Sequence, residues 1–183
     1  MRNYRIIAGL AAQALFVTSW LALPATTSAA ETEDSAQINT LLAEAKTKAL
    51  DLKRDSADME SFTRSNRGWE GYASKILTIK EHINDSGKLL TKLKNTEPTG
   101  APWQQTAIDR IEPLLRELAA NTEATIDHLN NNRAAVHFPE FKNFVKANYE
   151  LASDLEELIR DFVSYGESKG KFQRLQDKLE VAK

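Results

Sequence analysis

Cysteine is missing from all 183 residues of the chain. Its absence excludes a disulfide framework, a cysteine-ligated zinc or iron–sulfur centre, c-type haem attachment and an acylated-cysteine lipoprotein anchor. An excess of positive charge is also missing. With 24 basic and 26 acidic residues the formal net charge is −2, which argues against a nucleic-acid binder, whose affinity would rest on neutralising phosphates. No glycine-rich phosphate loop occurs. Short charge runs such as Lys46-Thr47-Lys48 and Asp154-Leu155-Glu156-Glu157 read as solvated helix faces.

The first thirty residues differ in kind from the rest. Arg2 and Arg5 are the only charges before Glu31, an apolar stretch runs from Ile6 to Leu23, and Pro24 breaks it. A tract of small residues follows, with Ser28 and Ala30 at the −3 and −1 positions of a cut site. Charged start, apolar middle and small-residue end together predict a secretory signal over 1–30, cleaved after Ala30. An uncleaved membrane anchor is the rival reading, disfavoured by the glycine, glutamine and hydroxyls within the stretch. Export to the periplasm or beyond follows. There, ATP and reduced nicotinamides are scarce, and a kinase or dehydrogenase is disfavoured. No second long apolar run exists, so the mature chain is expected to lack a transmembrane span. It would carry 22 basic against 26 acidic residues once Arg2 and Arg5 are gone.

Residues 31–183 are expected to form a single helical domain. Apolar residues recur at alternating steps of three and four in four stretches. The first runs Ile38, Leu42, Ala45, Ala49, Leu52, Ser56, Met59, Thr63, and the second Trp69, Tyr72, Ile76, Ile79, Ile83, Ser86, Leu90, Leu93. The third runs Ile108, Ile111, Leu115, Leu118, Thr122, Thr125, Leu129, and the fourth Phe141, Phe144, Asn148, Leu151, Leu155, Leu158, Phe162, Tyr165. Almost no period-two alternation competes, so the chain is all-α. Breaks at Asn66-Arg67-Gly68, Pro98-Thr99-Gly100-Ala101-Pro102, Asn130-Asn131-Asn132 and Phe138-Pro139 separate the stripes. Together these features predict an antiparallel up-down-up-down four-helix bundle, with coiled-coil-like seams and helices over about 35–66, 69–96, 103–132 and 139–166.

Three features complicate that reading. The stripe slips by one position near Gly68, which a turn permits but a stutter in one unbroken helix would also produce; the turn is favoured because it closes a compact core. Pro113 lies within the third stripe and predicts a kink or a late helix start. The Gly166–Gly170 segment should loosen the fourth helix, leaving a short amphipathic C-terminal helix over 171–182 marked by Phe172, Leu175, Leu179 and Ala182. That tail could fold back on the bundle or bind a partner.

Groups able to do chemistry are few. His82, His128 and His137 supply all the imidazole, none within H-E-x-x-H or a Glu-x-x-His pair, so no metal site is expected. Met59 and His137 would be permissive for haem, but nothing in their spacing is diagnostic, and no cofactor is assigned. Alternating helix directions would gather Phe62, Trp69, Tyr72, Phe138, Phe141 and Phe144 at one end of the bundle. Arg64, Arg67, Arg133, His128, His137, Glu60, Glu70 and Glu140 would surround them. From these, Trp69, Tyr72, His128, His137, Arg133 and Glu70 are the candidate ligand-binding residues; the alternative is a plug of large side chains closing the bundle end. Asn148, on a seam, needs buried partners.

No catalytic residues are assigned, and the chain is not expected to be an enzyme. The sequence points to an exported protein that acts by protein–protein interaction or self-association. The other reading is a small-ligand or cofactor carrier, for haem or a metal, using the aromatic, histidine-containing end.

Overall fold

A computed structural model describes residues 33–65 and 67–181. The predicted signal segment lies outside the described residues, as does Ala182 of the predicted tail.

Each helix forms where its stripe is. Helix α1 (Ala36–Ser61) starts at Ser35, whose hydroxyl accepts from the Ile38 amide, and ends in a single 3-10 turn over Phe62–Arg64. Helix α2 (Trp69–Thr96) starts at Gly68. Helix α3 (Pro102–Asn131) opens on a proline, which fits a first turn because its missing N–H would have no partner there. Helix α4 (Pro139–Val181) opens the same way and runs for 43 residues, about 64 Å at 1.5 Å per residue.

The four helices form an all-α bundle in which α1 packs on α2 and α4, and α3 on α2 and α4. Cross-helix partners run in opposite order along three of the neighbouring pairs, which fixes the direction of the fourth. Asp55 pairs with Lys75 while Lys48 pairs with Asp85, and Trp103 meets Tyr165 while Asn121 reaches the Phe144 carbonyl. Likewise Asp34 meets Lys169 while Lys53 meets Glu156. The neighbours are therefore antiparallel, and the chain reverses between α1 and α2 as the turn reading requires.

The α1 stripe is buried as expected from Ile38 through Met59. Departures concentrate in α4. Its contact line is Phe141, Val145, Asn148, Ala152, Leu155, Ile159 and Val163, not the bulkier Phe144, Leu151, Leu158, Phe162 and Tyr165. Small and branched residues let α4 approach its neighbours closely. The large side chains then lie half-buried along the margin, and Tyr165 is 52% exposed. Leu89 similarly replaces Leu90 at the centre of α2.

Two buried polar groups fix the packing. The side-chain amide of Gln104, with no exposed surface, accepts from the Ser35 and Ala101 amides, each at 2.9 Å. It also donates to the Ser35 carbonyl at 2.9 Å and to Asn39 Oδ1 at 2.8 Å. The starts of α1 and α3 are thus joined through a fully satisfied group. Asn148 finds the partners it needs. Its Oδ1 accepts from Thr122 at 2.6 Å, and its Nδ2 donates to Thr125 Oγ1 at 2.8 Å and to the Phe144 carbonyl at 3.1 Å. Because a slipped register would strand these groups at a cost of about 1–3 kcal/mol each, they hold α3 and α4 in one alignment.

At Pro113 the late helix start does not occur, because α3 begins at Pro102 and continues through it. One expectation is corrected outright. The separate C-terminal helix does not exist: α4 continues through Gly166 and Gly170 to Val181. Gly166 is a seat rather than a break. A methyl group there would come within 2.6 Å of the Trp103 indole. That indole donates to Asp34 Oδ1 at 2.8 Å, and Lys169 meets the same oxygen at 3.0 Å.

Gly166→Ala should therefore lower the melting temperature, although alanine is the better helix former by about 1 kcal/mol. At Gly87, also within a helix, an added methyl meets nothing within 4 Å, and Gly87→Ala should raise it. Thermal unfolding of the two variants beside the wild type checks the opposite signs.

Candidate functional site

The aromatic end forms where the finish of α1 and α3 meets the start of α2 and α4. Tyr72, on the first turn of α2, is 1% exposed. Its ring packs edge-on against Phe62, with centroids 5.6 Å apart, and against Phe141 at 5.0 Å. His128 from the last turn of α3 stacks on Phe141 at 5.8 Å and tilts against Phe144 at 5.4 Å. Arg133 covers the Trp69 ring at 4.3 Å, and Arg67 covers Phe62 at 5.3 Å. Such cation–ring contacts keep a guanidinium hydrated on one side while it shields apolar surface on the other.

The candidates do not all come together. Tyr72 and His128 lie in this ring cluster, Trp69 pairs with the exposed Arg133, and His137 and Glu70 are exposed. Phe138, expected in the cluster, is 62% exposed because it sits in the turn before α4. Met59 is fully buried in the core, whereas His137 is exposed in the loop before α4. Among the described residues, no group of three or more His, Cys, Asp or Glu side chains is arranged to hold a metal ion.

Two polar atoms in the cluster have no protein partner, the Tyr72 hydroxyl and His128 Nε2. The other imidazole nitrogen of His128 lies 4.0 Å from Glu140. Burial without a hydrogen bond pushes the Tyr72 phenol above the usual tyrosine range, because ionisation would place a charge among aromatic rings.

On the α1–α2 surface, Asp55 pairs with Lys75 at 2.9 Å and His82 at 3.0 Å. The hydrogen bond that Lys75 donates to Asp55, helped by Asp58, raises its ammonium above the ordinary lysine range. This cluster joins two helices and needs no ligand to explain it.

The opposite end is more open. A hollow of about 600 Å³ lies between α1, α3 and α4, with Asp34, Asn39, Trp103, Gly166, Gly170 and Arg174 on its walls. A shallower groove of about 340 Å³ follows the α3–α4 margin past Trp103, Arg110, Leu158, Asp161, Phe162 and Tyr165. Beyond it every residue from 171 to 181 is exposed, including Phe172 at 62%, Leu175 at 50%, Leu179 at 71% and Val181 at 88%. Sequence reasoning found the apolar tail but not its continuity with the groove. The seven-residue spacing of Tyr165 and Phe172 was the available signal.

Comparison with protein-family models, curated proteins and solved structures gives no match. Among the described residues no helix is long and apolar enough to cross a membrane.

Tyr72→Phe should preserve or raise stability, by up to about 1 kcal/mol, because it removes a buried hydroxyl that no side chain satisfies. The raised phenol fixes the sign with pH. The folded state holds that proton more tightly, so the stabilisation is present below the unfolded tyrosine pKa and fades as pH rises through the folded one. Chemical denaturation at pH 7 to 11 should show a steeper alkaline loss in wild type than in Tyr72→Phe.

Proposed function

We propose that the protein is an exported, non-catalytic helical-bundle protein that acts by protein–protein interaction, self-association included. The observation that carries this reading is α4 itself, which projects past its bundle as a formed helix with Phe172, Leu175, Leu179 and Val181 exposed. Monomeric proteins seldom leave contiguous apolar surface uncovered, and an apolar stripe on a preformed helix binds with little ordering cost. Export rests on the charged, apolar and small-residue pattern of 1–30. The non-catalytic part rests on the want of any nucleophile, phosphate or metal motif in the sequence.

A ligand carried at the aromatic end is the second reading, favoured by the unpartnered Tyr72 hydroxyl and His128 Nε2. It requires a ligand-dependent change in Trp69 fluorescence that a His128→Ala variant loses.

Cross-linking in the native envelope, followed by native mass spectrometry, tests the main proposal. A species heavier than one chain is expected. A strictly monomeric protein that retains no partner would overturn it.

A further inference from the structure

We infer that the uncovered face of α4 is a self-association surface, on which a second copy of the chain lies antiparallel. The inference rests on the association reading above and names the partner.

Leu158, Tyr165, Phe172 and Leu179 recur every seven residues along α4. A seven-residue apolar repeat supplies one of the two seam positions of a left-handed pair of helices, and Phe162 and Leu175 fall between its members. At about 100° per residue, the Phe172–Leu175–Leu179 stripe lies roughly 170° round the helix from the line buried in the bundle. With α4 unbroken through Gly166 and Gly170, the stripe cannot be turned onto its own bundle, and its cover comes from another molecule.

The same helix supplies a matching surface. Place a two-fold axis between Ser168 and Lys169, and let two copies of α4 run in opposite directions. Leu158 is then level with Leu179 of the second copy, Phe162 with its Leu175, and Tyr165 with its Phe172. Each overhang settles along the α3–α4 groove of the other copy, whose walls include Leu158, Phe162 and Tyr165. A face that meets itself in this way forms a closed dimer.

Charge supports this direction. Beside the seam, the bundle portion of α4 carries Glu157, while the overhang carries Lys178. The antiparallel register brings Glu157 of one copy alongside Lys178 of the other, twice. A parallel pairing would instead set Glu150, Asp154, Glu157 and Asp161 against themselves. Sterics agree as well, because the stripe lies roughly 170° round α4 from the buried line, so each bundle sits on the outer side of the helix pair.

The test is sedimentation velocity over a concentration series, with variants that separate the seam from the fold. Wild type should dimerise reversibly. Leu175→Glu with Leu179→Glu, both on residues exposed in the monomer, should raise the dimer dissociation constant at least about a hundredfold with unchanged melting of the monomer. Glu157→Lys or Lys178→Glu alone should weaken the dimer about fivefold, and the two together should restore it. Since the chain has no cysteine, Ser168→Cys should form a disulfide-linked dimer on oxidation, whereas Thr91→Cys on α2 should not.

A dimer indifferent to the Leu175 and Leu179 substitutions, or one that Ser168→Cys fails to link, would overturn this inference and leave the association reading standing. A wild-type monomer that instead captures a different protein, or sediments with anionic phospholipid vesicles, would overturn the self-pairing. A monomer that binds nothing would sink both.

Discussion

Close approach of α4 to the rest of the bundle is the constraint on which the architecture depends. Its contact line runs Phe141, Val145, Asn148, Ala152, Leu155, Ile159 and Val163, and the shorter side chains among them let the helix pack closely. Burying each branched residue stabilises the fold by about 1.5–3 kcal/mol, but the shape of the line matters as much as its energy. With the centre occupied by small groups, Leu158, Phe162 and Tyr165 are displaced to the margin, where they wall the groove beside α3. The same packing choice that closes the core therefore creates the apolar surface outside it.

Polar groups decide the alignment that this packing leaves open. Gln104 joins the starts of α1 and α3, and Asn148 joins the middle of α3 to α4. Glu156, nearly buried, meets Lys53 of α1 at 2.8 Å. Apolar stripes tolerate sliding, whereas a buried amide that loses its partner carries a penalty comparable to losing a core methylene or two. Oily surface supplies the driving force, and a few amides supply the address.

Much of the fold was legible in the sequence because helical periodicity survives without knowledge of tertiary contacts. Four stripes and the proline opening the fourth could be read directly, whereas the slip near Gly68 was compatible with a turn and with one unbroken helix. The exact contact line of α4 could not, because hydrophobicity favours Leu158 and Phe162 over Val163 and Ala152, and only packing against neighbours reverses the order. Glycine misled in the same way. Gly166 looks like a helix breaker until Trp103 is seen resting on it. At the aromatic end, the meeting of Tyr72, Phe141 and His128 followed from topology, while the outward turn of Phe138 and His137 depended on loop geometry that no periodic signal encodes.

The contact between Asp34 and Lys169 means that the chain enters and leaves the bundle body at the same end. Force applied between those two points would act across the α1–α4 contact rather than along it. The helices would then peel apart one turn at a time, beginning at the Trp103 clamp, instead of sliding past each other with every contact strained together. A fold of this kind resists heat through its whole interior at once, yet yields to tension like a zip opened from its tab.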